Sequence, residues 1–208
     1  MAKIYPIGVQ NFAEIREGGF VYIDKTEFIH KLVSSGKYFF LSRPRRFGKS
    51  LLISTIEAFF QGRKELFDGL AICRYDHDWQ PRPVLHLDLT GRNYSDEHSL
   101  RAHIEEHFRQ WEAEYNIQAG STEPEERFRN LIRTASEQSG RKVVILIDEY
   151  DKPLLDTITN VSLQDMYRSQ LKAIYGNLKK MDAYIEFAML TGVTKFGKLS
   201  IFSDLNNL

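Results

Sequence analysis

A short basic loop near residue 45 lies between two apolar segments, and this arrangement limits the folds open to the chain more than any other feature. Residues 38–41 read Tyr-Phe-Phe-Leu, residues 43–50 read Arg-Pro-Arg-Arg-Phe-Gly-Lys-Ser, and residues 51–60 are mostly apolar. An apolar strand, a glycine-containing loop and a helix that is apolar on nearly every side follow the order of a phosphate-binding loop. Such a helix packs against a sheet, so the sequence predicts an α/β fold.

The basic loop contains the residue types that bind the phosphates of a nucleotide. Gly48 lets the backbone approach phosphate oxygens, and the amides that begin the next helix can donate to them. Lys49 can reach the β- and γ-phosphates, and Ser50 can ligate Mg²⁺. Arg43 stands where the general pattern has glycine, and Pro44 removes one amide donor. The predicted nucleotide-binding residues are Arg43, Pro44, Arg45, Arg46, Phe47, Gly48, Lys49, Ser50 and Leu51.

A second motif, Val-Val-Ile-Leu-Ile-Asp-Glu at 143–149, ends in two adjacent carboxylates. Its five consecutive apolar residues predict a strand buried on both faces, as in a parallel sheet. Asp148 would lie at the carboxyl end of that strand, where open α/β sheets bind ligands, and is predicted to hold Mg²⁺ together with Ser50. Glu149 is predicted to orient and deprotonate the attacking water. Asp151 is expected to shape the loop that starts the next helix.

A third apolar segment, 184–190, predicts another buried strand, and Thr191 and Thr194 follow it. Either hydroxyl is a candidate for sensing the γ-phosphate, and a threonine that only ends the strand fits the pattern equally well. With Lys49 and Glu149, these two threonines complete the set of candidate catalytic residues. The motifs together predict a Mg²⁺-dependent nucleoside triphosphatase, and the residues alone leave the base of the nucleotide open.

The alternation of strands and helices predicts a P-loop NTPase-type parallel sheet flanked by helices. In the order usual for ATPases, the strand at 37–42 is followed across the sheet by 185–190, then 143–148, then 84–89. A fifth strand on the other side of 37–42 is missing from the pattern. The sheet is therefore expected to be truncated, with an exposed edge. Predicted helices cover about 24–35, 49–61, 64–72, 98–116, 123–138 and 162–181.

These motifs resemble those of the AAA-ATPase-like proteins of bacteria and archaea. The resemblance lies in residues 20–26, 41–50, 147–153 and 190–203. It spans nearly the whole chain, and arginine in place of the first glycine of the loop is normal in that family.

The resemblance implies that residues 1–208 are one ATP-binding domain, the N-terminal part of a longer protein. In the family, such a domain is usually followed by one that resembles PD-(D/E)XK nucleases. ATP hydrolysis coupled to that domain or to another partner is the function the resemblance implies. The nucleotide and metal residues that it carries over are Lys49, Ser50, Asp148 and Glu149.

The amino-acid composition limits which binding partners and which cellular compartment we expect for the chain. Its 28 basic and 28 acidic residues balance, so no global field directs it to nucleic acid or to an anionic membrane. Contact with nucleic acid would need the arginine cluster 43–46 or the missing C-terminal domain. Cys73 is the single cysteine, which favours a reducing, cytoplasmic setting with Cys73 as a small buried residue. No apolar stretch is long enough to span a bilayer.

Two other functions remain open at this stage. A nucleotide-dependent switch that scarcely hydrolyses ATP would carry the same motifs. Hydrolysis also needs a transition-state arginine, often from another subunit of a homo-oligomer, and Arg168 is one possible donor. More remotely, His103 and His107 match the H-x-x-E-H pattern of inverted zinc peptidases and would share a helix face.

Overall fold

The computed structural model describes residues 4–194, and the four strands in this range form one parallel sheet. The strands are β1 (Tyr38–Ser42), β2 (Val84–Asp88), β3 (Val143–Asp148) and β4 (Ile185–Gly192). Their order across the sheet is β1-β4-β3-β2, which confirms the order predicted from the sequence. Because the strands are parallel, their carboxyl ends all lie at the same end of the sheet, where the basic loop leaves β1.

The α-helices of this part of the chain alternate with the strands. They are α1 (Phe12–Glu17), α2 (Thr26–Ser35), α3 (Lys49–Phe60), α4 (Ser99–Glu114), α5 (Pro124–Ser139), α6 (Lys152–Asp156) and α7 (Val161–Lys180). The long helices lie within a few residues of their predicted bounds. The predicted helix at 64–72 is instead two short 3₁₀-helices, Lys64–Phe67 and Ala71–Arg74. The short α1 and α6 were not predicted, because five or six residues are too few to show a helical period.

The sheet separates two hydrophobic cores. On one face, Val144 and Leu146 of β3 pack with α3 and the segments before and after it. On the other face, Val143, Ile145 and Ile147 pack with α4, α5 and α7. Every residue of β3 is buried, as expected for a strand that is covered on both sides.

The β2 edge of the sheet is covered by side chains from α4 and from Tyr115, the residue that follows α4. The Tyr115 hydroxyl donates to Val84 O at 3.1 Å and accepts from Val84 N at 3.1 Å. His107 Nε2 lies 3.2 Å from Asp88 O. These contacts satisfy edge groups that could otherwise pair with another strand. At the opposite edge, β1 is the last strand of the described range, and the missing fifth strand stays a prediction because residues 195–208 lie outside that range.

Cys73 corrects one expectation from the sequence. Its side chain is exposed rather than buried, with Sγ 3.1 Å from Phe67 O. It lies in the second short 3₁₀-helix, which places it at the surface. As for membrane spans, none of the helices between residues 4 and 194 has the length and apolar character needed to cross a bilayer.

Gly192, the last residue of β4, is the point of closest approach between β4 and the turn after β3. A Cβ at this position would lie 2.4 Å from Tyr150 Cε1 and 2.6 Å from Asp151 Oδ1. Real Cβ atoms do not approach other atoms that closely, so only glycine fits here without a shift of its neighbours.

We expect Gly192→Ala to lower the free energy of unfolding by about 1–3 kcal/mol, because the added methyl group overpacks a closed site. Gly176→Ala is the matched control, since a Cβ there meets no atom within 4 Å. Gly176 lies within α7, where alanine is favoured over glycine by up to about 1 kcal/mol. Urea unfolding measures both variants, and equal stability of the two would contradict the close approach at Gly192.

Candidate active site at the carboxyl end of the sheet

The basic loop turns sharply between β1 and α3. Arg46 has a φ of 67° and Gly48 a φ of 76°, so both have left-handed backbone conformations. Gly48 is the N-cap of α3, and no side chain caps the helix there. The amides of residues 49–51, in the first turn, therefore have no intrahelical acceptor. A Cβ on Gly48 would meet nothing within 4 Å, so the loop surface beside this glycine is open. Such a helix start is suited to binding an anion.

Three arginines and an aromatic ring surround this helix start. Arg43, Arg45, Arg46 and Phe47 are all exposed, and Phe47 has 69% of its surface accessible. None of the three guanidinium groups forms an ion pair with a residue in the 4–194 range. The loop therefore presents a surface of uncompensated positive charge, as phosphate binding requires.

Lys49 is the only buried lysine among the described residues, with 4% of its surface exposed. Its Nζ donates to Arg43 O at 3.0 Å and to Pro44 O at 3.2 Å. It also forms an ion pair with Glu149 Oε1 at 3.0 Å. A buried charge needs such partners, because burial without them is strongly unfavourable. Two backbone carbonyls and one carboxylate thus occupy the acceptor positions around the ammonium group.

Asp148 and Thr191 form a second contact at the end of the sheet. Asp148 is 3% exposed, and its Oδ1 accepts hydrogen bonds from the Thr191 hydroxyl and, at 3.1 Å, from the Glu149 amide. Within the described range, Oδ2 of Asp148 has no hydrogen-bond partner. Glu149 itself has a φ of 52°, an unusual conformation for a residue other than glycine. The turn at Glu149 points its carboxylate back toward the loop that holds Lys49.

Asp151 has a different role from the one expected. Its side chain makes no capping hydrogen bond to α6. Instead it is fully buried and accepts from the amides of Val193 and Thr194, at 3.1 and 2.7 Å, and from the Thr194 hydroxyl at 2.7 Å. Asp151 therefore ties the turn after β3 to the chain that leaves β4. The Thr194 hydroxyl is occupied by this carboxylate.

The arrangement fits Mg²⁺ and a nucleoside triphosphate. The unpaired amides at the start of α3 and the basic loop are donors for phosphate oxygens. Lys49 adds a positive charge, and phosphate oxygens can replace the protein oxygens that Nζ now contacts. Asp148 Oδ2 and the Ser50 hydroxyl are hard oxygen atoms of the kind that Mg²⁺ prefers as ligands. The 3.0 Å contact between Lys49 and Glu149 brings the loop and the end of β3 together, and Ser50 and Asp148 are their immediate neighbours in the chain.

The two histidines of the peptidase pattern are engaged elsewhere. His103 and His107 do share a face of α4, with ring centroids 5.1 Å apart. His103 Nδ1, however, lies 2.7 Å from the Tyr94 hydroxyl, and His107 Nε2 contacts Asp88 O. Burial lowers the pKa of both imidazoles. No group of three histidine, cysteine or acidic side chains between residues 4 and 194 is arranged to hold a metal ion, so the structure gives no support to a zinc peptidase.

Comparison with known families agrees with this geometry. A model of the family described as predicted AAA-ATPase matches residues 6–202. The chain belongs to this family. Membership implies a nucleotide-binding domain, which the AAA-ATPase-like motifs in the sequence had indicated.

A curated relative of this AAA-ATPase-family chain comes from Azotobacter chroococcum mcd 1, where it is described as an uncharacterized protein in the vnfD 5′ region. The two are 44% identical over 209 residues, which cover 99% of this chain and 40% of the relative. Comparison with solved structures found no match. The nuclease-like domain implied by the resemblance has no support in these comparisons.

We expect Asp151→Asn to loosen the segment after β4, because the amide group replaces a charged acceptor of three hydrogen bonds. The loss should be about 1–3 kcal/mol in the free energy of unfolding, with faster hydrogen exchange at the Val193 and Thr194 amides. The control is Asp165→Asn, since that side chain is 60% exposed on α7. Unchanged protection of both amides in Asp151→Asn would contradict the assigned role.

Proposed function

We propose that this AAA-ATPase-family domain binds Mg-ATP on the basic loop and hydrolyses it, as part of a longer protein. The observation that carries the proposal is the 3.0 Å contact between Lys49 Nζ and Glu149 Oε1. It joins the lysine of a phosphate-binding loop to a carboxylate pair at the end of β3. The relative that is 44% identical has a longer chain, which supports a further region beyond this domain.

In this proposal the loop residues bind the triphosphate and two side chains hold the metal. The amides of residues 49–51 donate to phosphate oxygens, and Lys49 neutralises charge between the β- and γ-phosphates. Ser50 and Asp148 would hold Mg²⁺, which when bound supplies a Lewis acid to the phosphate oxygens. Thr191 acts as a positioning residue, because its hydroxyl orients Asp148.

Glu149 is the proposed general base, and it must first leave Lys49. While Glu149 Oε1 lies 3.0 Å from Lys49 Nζ, the ammonium group occupies the carboxylate oxygen that would face the attacking water. Phosphate oxygens offer Lys49 replacement acceptors, so nucleotide binding would release Glu149 to orient and deprotonate water. Thr194 remains a candidate for γ-phosphate sensing only if its hydrogen bond to Asp151 opens.

We expect Lys49→Ala to abolish nucleotide binding. Mg-ATP at 100 times its Kd should add about 2.7 kcal/mol to the stability of the parent protein and nothing to this variant. Thermal unfolding with and without Mg-ATP measures the difference. Lys142→Ala is the control, because Lys142 is exposed at the opposite end of the sheet, before β3. An equal rise in parent and Lys49→Ala would overturn the site.

We expect Glu149→Gln to keep Mg-ATP binding but to lower the rate of ATP hydrolysis by a factor of about 10²–10⁴, the usual contribution of a positioned acid or base. The amide cannot accept the proton of the attacking water, whereas the loop donors are unchanged. Phosphate release under saturating Mg-ATP measures the rate. Hydrolysis at the parent rate would exclude Glu149 as the base.

A nucleotide-dependent switch is the second candidate, and the same ion pair favours it. A state in which Glu149 neutralises Lys49 does not activate water, and Arg168 is bonded to Asp165 and Gln164 of its own helix rather than to the loop. A parent protein that binds Mg-ATP without turnover, alone and as the longer chain, would support the switch. Homo-oligomerisation, a nucleic-acid or nuclease-like partner and a cytoplasmic setting remain proposals.

A further inference from the structure

A cavity of about 290 Å³ lies where α4, α5 and α7 meet. Ile104 of α4 and Ile174 of α7 supply apolar walls, and each is 2% exposed. These helices pack on the face of the sheet opposite α3. No residue of the basic loop lines this cavity, nor does Asp148, Glu149 or Thr191, so the nucleotide site proposed above does not use it.

A buried acceptor lines this cavity without a donor. The side-chain oxygen of Gln170, Oε1, is shielded from solvent and has no hydrogen-bond partner in the described range. Buried polar atoms in folded proteins are nearly always paired, so each exception calls for an explanation. A donor supplied by a bound molecule is one explanation, because the atom belongs to the wall of a cavity large enough for a small ligand.

The charged groups of the cavity favour a cation. Glu123 and Glu125, at the start of α5, line it, and neither carboxylate has an ion pair or hydrogen bond with another described residue. Arg101 also lines the cavity, but its guanidinium group is already bonded to Glu105 Oε1 at 2.9 Å and Thr122 O at 3.2 Å. Arg101 therefore faces three carboxylates, Glu105, Glu123 and Glu125, and the net charge around the cavity is negative.

The partial positive charge at the N-terminus of α5 opposes the carboxylates, but it is smaller than their charge. A helix N-terminus carries the equivalent of about half a positive charge, which by itself would favour an anion. Two carboxylates beside it carry two full negative charges. The net field still favours a cation, and the polar atom here that is shielded from solvent without a partner, Gln170 Oε1, is an acceptor.

We propose that this cavity binds an organic cation with a short hydrocarbon chain, such as an alkylammonium group. The hydrocarbon part would lie against Ile104 and Ile174. The ammonium hydrogens would pair with Gln170 Oε1 and with the carboxylates of Glu123 and Glu125. The cation could be a free amine or the lysine side chain of a partner protein, since both carry the same chemistry.

The test is an NMR titration of the whole protein with pentylamine, with 1-pentanol as the neutral probe of similar shape. We expect saturable amide shifts in α4, α5 and α7 around the cavity, and binding of the alcohol at least tenfold weaker. A parallel titration with Nα-acetyl-lysine N-methylamide distinguishes the two sources. Tighter binding of this capped lysine assigns the cavity to a partner's lysine, and tighter binding of pentylamine assigns it to a free amine.

Variants provide the matched controls. Gln170→Met replaces the side-chain amide by an apolar group of similar size, and Glu125→Gln removes one negative charge. Each variant should weaken binding of pentylamine about tenfold, which is the effect of losing one charge-assisted hydrogen bond. Glu137→Gln, about 18 Å further along α5, should leave it unchanged. Gln170→Met should unfold at the parent's midpoint or above. If it does not fold, Glu125→Gln against Glu137→Gln carries the test.

Three results would overturn the proposal. One is the absence of saturable binding of both amines. Another is equal affinity for pentylamine and 1-pentanol, which would mean that the charge is irrelevant. The third is parental affinity in Glu125→Gln and in a folded Gln170→Met.

Discussion

Strand β4 connects the two halves of the candidate site, because it pairs with β1 on one side and with β3 on the other. Its pairing with β1 fixes the position along the sheet at which β1 ends and the basic loop begins. Its pairing with β3 fixes the position of Asp148 and Glu149 at the carboxyl end of that strand. Beyond the strand, Gly192 and the bonds from Val193 and Thr194 to Asp151 fix the turn that carries Glu149. Lys49 and Glu149 meet only because this intervening strand holds both.

The contact between those two residues gives the site its chemical character. Lys49 is buried, so its charge always needs acceptors, and in this structure they are protein groups of the site itself. A triphosphate would therefore have to replace these protein oxygens as acceptors for the ammonium group of Lys49. Binding and activation of the base are therefore one event in this account. In the proposed function, the ion pair would hold Glu149 inactive as a base until the nucleotide is bound.

Much of this arrangement follows from local sequence signals. The buried run before Asp148, the loop before Lys49 and the alternation of strands and helices each depend on residues close in the chain, and these parts were predicted correctly. The pair formed by Lys49 and Glu149 joins distant segments and has no local signal. Asp151 illustrates the same limit, since its hydrogen-bond partners lie after β4 and a local turn was the natural expectation. Cys73 was expected to be buried from residue type alone, but its place in a short surface 3₁₀-helix decides its exposure.

The most direct test of this account is the equilibrium affinity for Mg-ATP of the parent protein and of Glu149→Gln, measured by calorimetry in the same buffer. If the ion pair competes with the nucleotide, removing its carboxylate frees Lys49, and Glu149→Gln will bind Mg-ATP several-fold more tightly than the parent. Equal or weaker affinity in the variant would contradict the account. It would mean that Lys49 does not have to exchange Glu149 for phosphate.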